Sequence, residues 1–136
     1  MAETIELEVV TPERPLVHED VESVDVPGKA GYLGILPGHA ALVGEMGTGV
    51  LHYAAAGKRR GVAVSGGFLE VQEGHVRILA DVAELAEEID LNRAKAALAK
   101  AQQVLAQQAA AGGPEAEAAA AAQDRATARI NAAEGK

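Results

Sequence analysis

The chain has 136 residues, a formal net charge of −8 and no cysteine; this excludes a disulfide framework and a thiolate metal site, and it argues against a nucleic-acid partner, which needs clustered Lys and Arg. Thirty alanines inflate the 49% hydrophobic content, and Tyr32, Tyr53 and Phe68 are the only aromatic residues, so the core must be a modest one of Val, Leu and Ile. No apolar run approaches the length of a membrane span, and the opening MAETIELEVV lacks a basic-then-apolar leader pattern; neither direct bilayer insertion nor a signal peptide is expected.

The first part of the chain reads as strands. Ile5, Leu7 and Val9 alternate with Glu6 and Glu8, the pattern of a half-buried strand. Val24 and Val26 repeat it around Asp25, Leu69 and Val71 around Glu70, and Val76, Ile78 and Ala80 around Arg77 and Leu79. Turn signals separate these runs: Pro27-Gly28, Pro37-Gly38, Gly47-Thr48-Gly49, Ala56-Gly57-Lys58, Gly66-Gly67 and Glu73-Gly74. Glu73-Gly74, lying between two alternating runs, predicts a tight hairpin. Short strands with frequent Gly and Pro turns imply a β-sandwich or barrel.

Composition changes near residue 90, which divides the chain into 1–88 and 89–136. Residues 1–89 hold 12 of the 15 glycines and carry 15 acidic against 6 basic residues; residues 90–136 hold 19 alanines and carry 5 acidic against 6 basic. The second part reads as two helices. Leu91, Ala94, Leu98, Ala101 and Leu105 form a narrow apolar seam, with Asp90 placed to cap the first turn. Ala111-Gly112-Gly113-Pro114 breaks the helix, and Glu115 and Glu117 favour a new helix start. The second helix is expected to run to about Ala133, with Ile130 and alanines 119, 122, 126 and 133 as its apolar side. High helix propensity with little large apolar surface predicts a well-formed hairpin that docks weakly and can move as a unit. The alanine tract 116–122 also fits plain low-complexity filler.

Few residues suggest a site. Asp90 and Arg93 read by themselves as helix-start chemistry, a cap and a solvated neighbour. Arg125 and Arg129 are four residues apart and share a helix face; in an antiparallel hairpin they can lie near Arg93, and three guanidinium forks suit phosphate. His18, His39, His52 and His75 show no metal-ligand spacing along the chain, so no metal site is assigned. There is no P-loop and no nucleophile elbow, and Ser23 and Ser65 are the only serines. No catalytic residue is assigned and the chain is not expected to be an enzyme.

Three stretches resemble the epsilon subunits of bacterial F-type ATP synthases. The first is Gly31-Tyr32-Leu33-Gly34-Ile35-Leu36-Pro37-Gly38-His39-Ala40, continuing through Leu42 to Glu45-Met46, with Ala41 where the family usually has Pro. The second is Val64-Ser65-Gly66-Gly67-Phe68-Leu69-Glu70-Val71, followed by Val76–Asp81; the third is Ile89-Asp90-Leu91-Asn92-Arg93-Ala94. With Val9-Val10-Thr11-Pro12 they span the chain in the family's order.

The resemblance implies a ten-stranded β-sandwich followed by an antiparallel α-helical hairpin. It implies a non-catalytic rotor subunit of the central stalk, peripheral on the cytoplasmic face of the inner membrane, that helps couple proton translocation to ATP synthesis. Gly31, Tyr32, Leu33, Gly38 and His39 would meet the c-ring and the gamma subunit. The hairpin would switch to an extended form that reaches the alpha and beta subunits and inhibits ATP hydrolysis. No cofactor is required, but a regulatory ATP is implied at Glu84, Ile89, Asp90, Arg93, Ala94, Lys100, Arg125 and Arg129; Lys100 stands where ATP-binding members often carry Arg. A free-standing ATP-sensing module and a generic β-sandwich adaptor with a helical tail remain as alternatives.

Overall fold

The computed structural model describes residues 3–108 and 112–136, so Ala111 of the expected helix break lies outside the described residues. Eight strands come first: β1 (Ile5–Val10), β2 (Pro15–Val21), β3 (Ser23–Gly28), β4 (Gly31–Ile35), β5 (Leu42–Glu45), β6 (Thr48–Ala55), β7 (Lys58–Gln72) and β8 (His75–Leu85). A 3-10 turn at Ala86–Glu88 leads to two helices, α1 (Leu91–Gln108) and α2 (Gly113–Ala133).

The strands follow the hydrogen-bonded order β2-β1-β8-β7-β6-β3-β4, with β5 added on β7. The sheet folds over on itself as a sandwich: β2 and β6 are not neighbours in that order, yet the Tyr53 hydroxyl of β6 donates to Glu19 Oε2 of β2 at 3.4 Å. The predicted inward residues Ile5, Leu7, Val9, Val24, Val26, Leu69, Val71, Val76, Ile78 and Ala80 are all buried in one cluster between the layers. Each large aliphatic side chain buried there contributes about 1.5–3 kcal/mol, which makes this cluster the main source of stability.

The count of ten strands is corrected to eight among the described residues. Two strands are longer than the sequence suggests: β7 has 15 residues and β8 has 11, and each serves both layers without a break. Gly66-Gly67, which reads as a turn, is instead a bend inside β7. Inward residues are Val62 and Val64 before the bend and Leu69 and Val71 after it, an odd separation that regular alternation forbids. Positive φ at Gly66 (70°) and Gly67 (108°) turns the strand over at this point, while the register with β8 is unchanged, Ser65 pairing with Val82 before the bend and Gly67 with Ala80 after it.

The turns follow their residues. Ala56 and Gly57 both have positive φ, as the primed two-residue turn between β6 and β7 requires. Glu73-Gly74 joins β7 to β8 where Gln72 pairs with His75, the hairpin predicted above. Within the Gly31–His39 stretch, Gly31–Ile35 is strand β4, paired with β3. Only the following segment turns, with the His39 N–H donating to the Leu36 carbonyl at 3.1 Å around Pro37-Gly38.

The helices pair antiparallel, and α2 also packs on β6 and β7, so it lies between α1 and the sheet. Ala94 and Ala101 of α1 and Ala119 and Ala126 of α2 are buried, with Leu91, Leu98 and Leu105 half-buried, in keeping with the predicted seam. The sheet side of α2 was not anticipated. Ala128 and Ala132, one turn apart, are buried on Val50 and Ala63, which are paired directly across β6 and β7. This second cluster is much smaller than the first and consists mostly of methyl groups.

Candidate functional site

Where α1, α2 and β8 meet, an open cavity of ≈ 290 Å³ is lined by Glu84, Arg93, Arg125 and Arg129, with Ser65 and Val82 in its wall. Glu84 projects from β8 opposite Ala63. Arg93 stands in the first turn of α1, and Arg125 and Arg129 occupy successive turns of α2. Arg129 Nε donates to Glu84 Oε1 at 3.0 Å, both side chains being partly buried. This pair ties the end of α2 to the sandwich. Among the described residues no carboxylate lies within ion-pair distance of Arg93 or Arg125. Two uncompensated guanidinium groups therefore face a cavity with an apolar wall, an arrangement suited to an anion carrying a flat or apolar body.

The other four residues of the implied ATP set do not line this cavity. Asp90 caps α1, its Oδ1 accepting from the Arg93 N–H at 3.1 Å. Ile89 packs beside the small cluster under α2. Ala94 is fully buried on the face that meets α2. Lys100 is exposed and lies seven residues beyond Arg93, about 10 Å along the helix.

The implied partner-contact residues lie elsewhere. Tyr32 and Leu33 are exposed on β4, at one end of the strand order. Gly38, with φ 89°, forms the turn that follows, and His39 Nδ1 bonds to the Ala40 carbonyl oxygen at 2.7 Å. Tyr32 also reaches back: its hydroxyl accepts from the Val50 N–H at 3.1 Å, beneath the end of α2.

His52 lies beside that end, sharing a hollow with Asp25, Arg59, Asn131 and Lys136. Burial, and then the charge of Arg59, hold its imidazole below the ordinary range, while the Lys136 backbone and Asp25 partly oppose this. The folded pKa is below the unfolded value near 6.5, so the unfolded chain binds the proton more readily. His52 therefore contributes stability that is present above about pH 6.5 and is lost as the pH falls through the folded value. Thermal melts should show a loss on acidification from about pH 7.5 to 5 that is smaller in His52→Gln.

Sequence spacing missed one cluster. Glu6, Glu8 and His18 bring ligand atoms together on the outside of the sandwich, with His75 beside them. Only strand register brings these positions together.

Residues 4–86 match the family described as ATP synthase, Delta/Epsilon chain, beta-sandwich domain. The ATP synthase epsilon chain of Solibacter usitatus (strain Ellin6076) is 62% identical over 102 residues, 75% of this chain and 76% of that one. The ATP synthase epsilon chain of Desulfitobacterium hafniense (strain Y51) is 46% identical over 133 residues, 98% of each. Among solved structures, a chain of the Euglena gracilis mitochondrial ATP synthase (OSCP/F1/c-ring, rotational state 1) aligns with a TM-score of 0.68 at 25% identity, covering 96% of this chain and 78% of that one. With the sandwich matched as a domain and full-length relatives extending through both helices, the chain belongs to the ATP synthase epsilon chain family.

Proposed function

We propose that the chain is a non-catalytic subunit of the ATP synthase central stalk, peripheral at the cytoplasmic face of the bacterial inner membrane. Its sandwich joins the gamma subunit to the c-ring through β4 and the Pro37-Gly38 turn, using Gly31, Tyr32, Leu33, Gly38 and His39. Proton-driven rotation is thereby coupled to ATP synthesis. Its hairpin, folded on β6 and β7 at rest, extends toward the alpha and beta subunits and restrains hydrolysis. ATP bound at Glu84, Arg93, Arg125 and Arg129 favours the folded form. No described helix is long and apolar enough to cross a membrane, which fits a peripheral attachment.

The observation that carries the regulatory reading is where the cavity lies. Its cationic residues come from both helices and its Glu84 from the sandwich, so only the folded hairpin assembles it. A ligand that binds one arrangement shifts the equilibrium toward it by mass action. Isothermal titration of the full chain with ATP tests this: saturable heat is expected, and its absence at about millimolar ATP overturns ATP control. Arg125→Ala or Arg129→Ala should weaken binding about 10–100-fold, the loss of charge-assisted hydrogen bonds. Co-purification with ATP synthase subunits from membranes separates the rotor-subunit reading from a free ATP sensor or a generic adaptor.

A further inference from the structure

Two strand pairings bring two histidines against two glutamates on the outer face of β2-β1-β8. Glu8 lies directly opposite His18 across the antiparallel β1–β2 pair, and Glu6 opposite His75 across the parallel β1–β8 pair. His18 Nε2 is 2.9 Å from Glu6 Oε2 and 4.0 Å from Glu8 Oε1. His75 Nε2 is 3.3 Å from Glu8 Oε1, and its Nδ1 is 3.6 Å from Glu6 Oε1. A hydrogen bond to Glu6 accounts for His18, but His75 has no such account. His75 Nε2 is shielded from solvent and has no hydrogen-bond partner, although a carboxylate oxygen lies within bonding distance.

That combination, close approach without alignment, is the relation between neighbouring ligands of one cation. Four ligands about 2.0–2.1 Å from a tetrahedral ion stand about 3.3 Å from one another and point at the ion, not at each other. The separations around His18 Nε2, 2.9 Å to Glu6 Oε2 and 4.0 Å to Glu8 Oε1, bracket that spacing. Arg77 Nε, 3.5 Å from Glu8 Oε2, engages the other carboxylate oxygen and leaves Oε1 directed at the histidines, an orienting contact of the sort that supports metal ligands.

We propose that Glu6, Glu8 and His18, whose ligand atoms already converge, form with His75 beside them a surface site for a borderline divalent transition-metal ion such as zinc. Mixed imidazole and carboxylate donors select that class over calcium or magnesium, which take oxygen alone. The site lies on strands β2-β1-β8, whereas α2 docks on β6 and β7, so metal binding there does not require the hairpin.

Zinc titration of the chelator-stripped full chain, by calorimetry and by thermal melting, tests the proposal. One zinc per chain is expected, with a rise in Tm. His18→Gln and Glu8→Gln should each weaken binding at least about tenfold, with the control His52→Gln unchanged. His18 is well exposed, so its variant keeps the fold, and circular dichroism checks this. Absence of saturable binding below about 1 mM free zinc overturns the site, as does unweakened binding in both variants.

Discussion

Replacing Gly67 with alanine is expected to destabilise the sandwich by about 3 kcal/mol or more, measured as a lower urea midpoint at unchanged slope. Gly67 holds φ at 108°, a region closed to side chains. A Cβ there would also fall on the Leu79 carbonyl oxygen and beside Ala80 Cα, which are backbone atoms that cannot swing away. Relief requires parting β7 from β8 at the bend where both strands pass between layers. Gly74→Ala provides the contrast: its φ is also positive, at 73°, but its added methyl meets nothing within 4 Å. Only the conformational cost of about 1–2 kcal/mol applies there. Against a total stability of about 5–15 kcal/mol, the first change is severe and the second moderate.

Ala128→Glu is expected to release the hairpin while the sandwich stays folded. Ala128 is buried on Val50 and Ala63 with Ala132 beside it, and each methyl contributes about 0.8 kcal/mol. A glutamate has no room in that methyl-sized contact, and overpacking there costs about 1–3 kcal/mol, as much as the small cluster contributes, so undocking is the lower-energy response. The inter-layer cluster contains no residue of either helix and should not be disturbed. Hydrogen exchange should rise through α1 and α2 and stay slow in β1, β7 and β8. In the assembled enzyme, the proposed function gives opposite signs for two changes. Ala128→Glu lowers ATP hydrolysis by freeing the hairpin to extend, and removal of residues 90–136 raises it. Hydrolysis equal in both would defeat the gating role.

These expectations draw unevenly on the sequence. The sandwich strands are legible where inward Val, Leu or Ile alternate with outward polar residues, as in Ile5-Glu6-Leu7-Glu8-Val9. Strand β4 is not: four of its five residues are exposed, and a solvent-facing edge strand leaves no alternation to detect. The continuity of β7 is hidden by Gly66-Gly67, since a glycine pair signals a turn as readily as a bend. The sheet-facing side of α2 is invisible for another reason. Alanine covers most of that helix, so no stripe distinguishes Ala128 and Ala132 from their neighbours. At the cavity, Glu84, Arg93, Arg125 and Arg129 are brought together, while Lys100 is carried away by two turns of helix. The Glu6–Glu8–His18–His75 cluster depends on strand register, which no linear spacing contains.

The layering of the hairpin has a mechanical consequence. Because α2 is held between α1 and the strands, a load applied near its C-terminal end bears on both contacts together. The Arg129–Glu84 bond, close to that end, takes the load early. Under force, α2 should therefore slide out in a single rupture that leaves α1 without support, rather than peeling away helix by helix. A pull applied through α1 meets only the α1–α2 contact first and should yield in two steps, so the molecule's resistance depends on which helix is gripped.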